Sequence, residues 1–150
     1  MQGQRKMKTV LDANVIVSAA VWGGNPRKII KRVADGLDKL FIAEYIIDEL
    51  EDVLRRPIFG LSSEEAELRI AEIERLGKKV AASPERRVTG VCRDPDDDIY
   101  LECAVSAGAD YLITGDRDLL DIKEYGGVKI VNARDYLDIV GGGTECTIMK

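Results

Sequence analysis

Residues 92–120 read CRDPDDDIYLECAVSAGADYLITGDRDLL, and the hydrophobic period changes twice within them. From Pro95 the apolar positions Leu101, Ala104 and Val105 recur at helical spacing until Gly108, a residue type that ends helices. YLIT, residues 111–114, is a short apolar run of strand type. Gly115-Asp116 then turns the chain into a second short helix carrying Leu119, Leu120 and Ile122. Helix, strand and helix in such close succession form the repeating unit of a parallel sheet covered by helices on both faces.

The alternation continues towards both ends. Residues 8–12, KTVLD, read as a buried strand that passes directly into a helix over residues 13–21. Asn25-Pro26 is expected to open a second helix, Asn25 as cap and Pro26 in the first helical position, with Ile29, Ile30 and Val33 as its stripe up to Gly36. A short strand is expected over residues 40–43. In residues 44–55 the apolar positions Ile46, Ile47, Leu50, Val53 and Leu54 spell a helix, and Pro57 stops it. Ser62 or Ser63 caps the next helix, whose buried face is Ala66, Ile70, Ile73 and Leu76 until Gly77. Residues 80–83 and 86–91 carry a weaker signal, of strand and loop. The last strand falls on residues 128–131 and the last helix on 133–140. The expected fold class is therefore α/β, a three-layer α/β/α domain with a central parallel sheet of about five strands. It takes up residues 1–140, and the Gly-rich stretch 141–150, GGGTECTIMK, reads as a flexible tail.

Composition narrows the chemistry. A chain of 150 residues with 45% hydrophobic and 33% charged residues suits one globular domain, its core filled by aliphatic side chains since aromatics make up 5%. No apolar run approaches a membrane span or a signal region, so a cytoplasmic protein without membrane attachment is expected. Cys92, Cys103 and Cys146 are odd in number and form no CxxC pair, which supports neither a disulfide framework nor a zinc ribbon. Histidine is absent, which excludes Ser-His-Asp triads, HExxH zinc sites and imidazole bases. The net charge of −5 argues against a protein that coats nucleic acid through a generally basic surface, but not against a local site that acts on it.

What remains is carboxylates. In an open parallel sheet, ligands bind outside the carboxyl ends of the strands. Asp12 ends the first strand, and Asp116 and Asp118 follow YLIT, so both groups should reach one edge. Taken singly, each of these aspartates could be no more than a helix cap. Asp97 and Asp98 lie on the same side of their helix as Leu101, Ala104 and Val105, whereas Asp96 points away; Asp94 before Pro95 is the natural cap. Glu49 and Glu51 flank the stripe of the helix at residues 44–55 symmetrically, and periodicity does not choose between them. Carboxylates gathered in one cleft repel one another, and a hard divalent cation such as Mg²⁺ or Mn²⁺ keeps them ionised together. The residues therefore point to metal-dependent phosphodiester chemistry.

Three segments, VLDANVIVSA, IIDELEDVLRR and CRDPDDDIYLECAVSAGADYLITGDRDLL, together resemble the PIN domain family of nucleases, most closely its branch of toxins from toxin-antitoxin systems related to VapC-like toxins. The resemblance covers residues 8–140 and keeps the acidic motifs in the family's order. It implies catalytic roles for Asp12, Glu49, Asp98 and Asp116, and metal ligation by Asp12, Asp98, Asp116 and the additional acid Asp118. Asn14 and Thr114 would support them by hydrogen bonds. The run from Asp96 to Asp98 leaves the ligand at that helix start open by one residue, which brings in Asp97, and Ala13 stands where the family often has Thr or Ser. The implied activity is cleavage of single-stranded RNA with Mg²⁺ or Mn²⁺, the implied partners an RNA substrate, a second copy in a homodimer and a cognate antitoxin. Two alternatives share the fold: an RNA-processing or quality-control protein, and a catalytically inactive binding module. A haloacid-dehalogenase-like phosphatase would need a second Asp where Asn14 stands, and WGGNPRK is neither GxGxxG nor a P-loop.

Two basic patches could touch an RNA backbone, Arg27, Lys28, Lys31 and Arg32 in one, Arg86, Arg87 and Arg93 in the other; ordinary solvated charge is the better reading for each residue alone. Trp22 is expected to be partly buried.

Overall fold

The computed structural model describes residues 6–80 and 95–142. Their strands are β1 (Met7–Leu11), β2 (Asp38–Ala43), β3 (Gly77–Val80), β4 (Tyr111–Ile113), β5 (Glu124–Tyr125) and β6 (Val128–Val131). The helices are α1 (Ala13–Val21), α2 (Gly24–Ala34), α3 (Glu44–Leu54), α4 (Ser63–Leu76), α5 (Pro95–Ala107), α6 (Arg117–Ile122) and α7 (Ala133–Leu137). A 3₁₀ turn, Pro57–Phe59, links α3 to α4, and a wide helical turn, Asp138–Gly142, follows α7. Residues 143–150, most of the expected tail, lie outside the described residues, as do 81–94 with the strand and loop expected there and the Asp94 cap.

The strands form one sheet in the order β3-β2-β1-β4-β6-β5. All neighbours are parallel except β5 and β6. The order runs outward from β1 in one direction through β2 and β3, then reverses to β4. Right-handed crossovers therefore put the helices before and after this reversal on opposite faces, giving the three layers α/β/α. The reversal is also a topological switch point, and it opens a crevice between the carboxyl ends of β1 and β4.

Local chemistry explains most of the boundaries. Ser62 and Glu65 form a complete capping box at the start of α4. Central strands with two covered faces must be apolar, and Val10, Leu11, Leu112 and Ile113 are fully or almost fully buried.

Three details of the chain path differ from the sequence reading. The cap of α2 is Gly23, with no side-chain bond, rather than Asn25. Gly23 and Gly24 take positive φ of +85° and +69°, a left-handed turn that residues with a Cβ rarely adopt, and it places Asn25 inside the first helical turn. Strand β3 begins at Gly77, directly after α4, three residues earlier than expected. A Cβ on Gly77 would lie 2.8 Å from Ile42 Cγ2 and 3.2 Å from the Ile73 carbonyl oxygen, so only glycine fits where the chain turns from helix into strand. The sixth strand, β5, is a two-residue antiparallel edge joined to β6 by Gly126-Gly127, both with positive φ as a tight hairpin requires.

Trp22 is 71% exposed, not partly buried, and its ring meets Phe59 edge-on at 5.6 Å. Cys103 is a buried free thiol whose pKa burial pushes up to about 12, so it stays protonated and unreactive. Among the described residues no helix is long and apolar enough to cross a membrane.

Candidate active site

Strands β1 and β4 pair in parallel with Leu11 opposite Ile113, so the residues that follow them, Asp12 and Thr114, leave the sheet side by side. The Asp12 amide donates to the Ile113 carbonyl at 3.0 Å and fixes this exit. The Thr114 hydroxyl, fully buried, donates to Asp12 Oδ2 at 2.8 Å, while the Asn14 backbone N–H donates to Oδ1 at 3.0 Å. Asp12 is thus an N-cap of α1, as the plainest sequence reading allowed, but one that is only 4% exposed and held by a second strand. Asn14 gives its support through the backbone, and its side chain is exposed.

Thr114 also accepts the Asp116 N–H at 3.0 Å, so a single hydroxyl ties the two aspartates into one network. Asp116 caps α6 by accepting the Asp118 N–H at 3.4 Å, and Asp118 lies half-buried in the first turn of that helix. Burial raises the Asp12 pKa above its usual value. The Asn14 and Thr114 hydrogen bonds act against this, and the negative charge of Asp116 adds to the rise.

Helix α5 precedes β4 and runs back across the sheet, which brings its first turns to the same edge. Tyr45 of α3 donates its hydroxyl to the Ile99 carbonyl at 2.9 Å, and Tyr100 of α5 donates to Glu49 Oε1 at 2.8 Å. The two tyrosines fasten α3 and α5 reciprocally. Tyr100 itself is 6% exposed, and its phenol is pushed up by burial first and then by the charges of Asp12 and Glu49. It stands between those two carboxylates. Of the two glutamates that periodicity left open, both are exposed, and Glu49 is the one that accepts the Tyr100 hydroxyl. Asp98 is buried two residues before Tyr100 on the same helix, 6% exposed. Its neighbour Asp97 falls where side chains are outside the description.

Tyr100 was not among the residues singled out from the sequence. On the α5 wheel it lies nearly opposite Asp98, and only the fold reveals that its hydroxyl reaches α3. The first basic patch is largely engaged inside the molecule. Arg32 pairs with Asp38, Lys31 with Asp35, and Arg27 donates to the Ala19 carbonyl. Arg86, Arg87 and Arg93 lie outside the described residues.

Among the described residues the donors at this edge are carboxylate and hydroxyl oxygens with neither imidazole nor thiolate, a set that suits a hard divalent cation. Asp12, desolvated beside a second carboxylate, is a member that a cation would relieve. Among the described residues no three carboxylate or thiol groups stand together within reach of one ion.

Fold and site together define the class: an α/β domain with Asp12 and Asp116 joined through Thr114 at the switch point of a parallel sheet. A family model for the PIN domain matches residues 8–118, and the chain belongs to that family. PIN domains are generally nucleases and typically use divalent metal ions. Among solved structures the chain is similar to PAE2754 from Pyrobaculum aerophilum, with 22% identity, 95% of this chain and 94% of that one covered, and a TM-score of 0.58. At that identity the likeness speaks for the fold. No curated protein sequence matches the chain.

Proposed function

We propose that this protein is a metal-dependent endoribonuclease that cuts single-stranded RNA and serves as the toxin of a type II toxin-antitoxin pair, in the VapC-like branch of the PIN family. The observation that carries the nuclease reading is Asp12: a buried carboxylate at the switch point, facing Asp116 and bonded only to neutral donors among the described residues. A carboxylate kept there without a counter-charge is a site waiting for a cation. The preference for RNA and the toxin role rest on the motif resemblance, and a homodimer and an antitoxin partner belong to the same reading.

A bound Mg²⁺ or Mn²⁺ would supply an activated water and offset charge building on the scissile phosphate. Asp12 and Asp116 would hold it, with Asp98 and Asp118 as further ligands. Thr114 fixes the Asp12 carboxylate, leaving no freedom to swing away. Tyr100 occupies Glu49 Oε1 and so aims the second oxygen of an otherwise exposed side chain, which can take a proton or orient a water.

Purified protein should cut unstructured RNA with Mn²⁺ and stop with EDTA or in Asp12→Asn. Cleavage that survives in the variant overturns the assignment. One observation favours a non-catalytic binding module, namely that no three acidic groups converge among the described residues. Calorimetric titration with Mn²⁺ separates the two, since absence of heat at high micromolar metal supports the binding module. A small DNA-binding protein encoded in the adjacent reading frame would support the toxin role, and its absence RNA maturation.

A further inference from the structure

Beside the acidic network lies a cavity of about 390 Å³ whose lining is chemically unlike it. Asn14 and Thr114 belong to both. Away from them the cavity is walled by Ser18 of α1, Asn25 at the start of α2, and Asn132 and Arg134 around the start of α7. Val15, Pro26 and Ala133 supply its apolar surface. Among the described residues no carboxylate lines it.

That composition discriminates among ligands. Pockets for small organic groups begin at about 300 Å³, so the space suits one such group. A phosphate would call for several cations or a row of backbone N–H groups, and among the described residues Arg134 is the only cationic side chain in the lining. A second metal ion would call for carboxylates. A nucleobase calls for apolar faces and for edge groups that both donate and accept, as carboxamides do. Asparagine pairs with the N6/N7 edge of adenine and arginine with the O6/N7 edge of guanine, so both favour a purine. Asn132 is partly committed, because its Oδ1 accepts the Asp135 N–H at 2.7 Å. The Asn25 carboxamide and the Arg134 guanidinium have no partner among the described residues.

We propose that this cavity seats one unstacked purine base of single-stranded RNA, immediately beside the phosphate presented to Asp12, with Asn25 and Arg134 reading its edge. The inference rests on the nuclease reading above for its substrate. The left-handed turn at Gly23 and Gly24 is what sets Asn25 at the wall of the cavity.

The test uses the wild-type chain with Asn25→Asp and Arg134→Gln. Asn25→Asp keeps the side-chain volume and adds an acid to the first turn of α2, where the helix dipole favours it, so folding is preserved. The first measurement is anisotropy of labelled oligo-A, oligo-G, oligo-C and oligo-U in EDTA, where nothing is cut. The second is the cleavage rate with Mn²⁺ on RNAs that differ only in the nucleotides flanking the cut. Purine oligomers should bind more tightly than pyrimidine ones, and Asn25→Asp should weaken oligo-A by about tenfold while leaving oligo-U within about twofold. Arg134→Gln should do the same to oligo-G. Equal binding of all four oligomers, or variants that match the wild type on purines, overturns the proposal. Purine selectivity lost in Asn25→Asp without any cleavage by the wild type upholds the base pocket and removes the nuclease reading. Metal-dependent cleavage indifferent to flanking base and to both variants does the reverse.

Discussion

Asp12 and Asp38 are buried carboxylates on neighbouring strands of one sheet, 4% and 3% exposed, at opposite ends of it. Asp38 opens β2 at the amino edge and receives two guanidinium hydrogen bonds from Arg32, at 2.8 and 3.2 Å. Asp12 follows β1 at the carboxyl edge and receives a hydroxyl and an amide N–H, with Asp116 adding charge of its own sign. Burying an ion is unfavourable, and a chain that had only to be stable would treat the two alike. Among the described residues it pairs Asp38 with Arg32 and sets no cation against Asp12. That asymmetry separates a carboxylate paired within the fold from one held by neutral donors, although both are buried and both are hydrogen-bonded.

The comparison breaks first at Arg32. Arg32→Met leaves Asp38 buried and unpaired, a change that costs about 3–5 kcal/mol in fully buried pairs. Arg32 keeps 25% of its side chain exposed, so the lower end, about 3 kcal/mol, is expected in urea unfolding. A loss under about 1 kcal/mol would mean that Asp38 needs no counter-charge and would remove the contrast. At the other edge the compensating charge must be added. Mn²⁺ at a hundred times its dissociation constant should stabilise the wild type by about 2.7 kcal/mol, read as a thermal shift that EDTA reverses. The same shift in Asp12→Asn would place the ion elsewhere.

Thr114→Val sharpens the account of how Asp12 is held. Valine has nearly the shape of threonine and neither donates to Asp12 nor accepts from Asp116. Hydrogen bonds to charged groups contribute about 1.5–3 kcal/mol, so a loss of about 2 kcal/mol is expected, with Thr114→Ser recovering most of it. A loss in Thr114→Ser as large as that in Thr114→Val would show that keeping the hydroxyl does not keep the stability, and the two hydrogen bonds would lose their share of the effect.

The same two edges show what a sequence reveals and what it hides. The layered architecture was legible because strands and helices differ in period, as in the YLIT run before the helix with Leu119 and Leu120. So was the shared edge of Asp12 and Asp116, since both follow buried strands and parallel topology carries both to one side. Strand β5 was hidden because two residues have no period, although Gly126-Gly127 is a hairpin signal in itself. Glu49 could be told from Glu51 only by resemblance until the fold brought the Tyr100 hydroxyl to it. The Arg32–Asp38 pair was hidden for the same reason: within the sequence Arg32 is one cation in a run of four, and its partner emerges only when α2 packs on β2.

The smallest effect tests the electrostatic side of the contrast. Burial holds the folded pKa of Asp12 above the ordinary value of 3.8, so between that value and the folded one the native state binds the proton more often than the unfolded state. In this window stability falls as pH rises, and the full penalty is present once pH exceeds the folded pKa. Asparagine does not titrate. In EDTA the stability of Asp12→Asn relative to the wild type should therefore improve from pH 4 to pH 7, even though Asn cannot accept both hydrogen bonds as the carboxylate does. Asp38→Asn, which deprives Arg32 of its partner, should be destabilising at pH 7. A relative stability of Asp12→Asn that stays flat with pH, or runs in favour of the wild type towards neutrality, would show that Asp12 sits as comfortably as Asp38, and the carboxyl edge would lose its claim to need a cation.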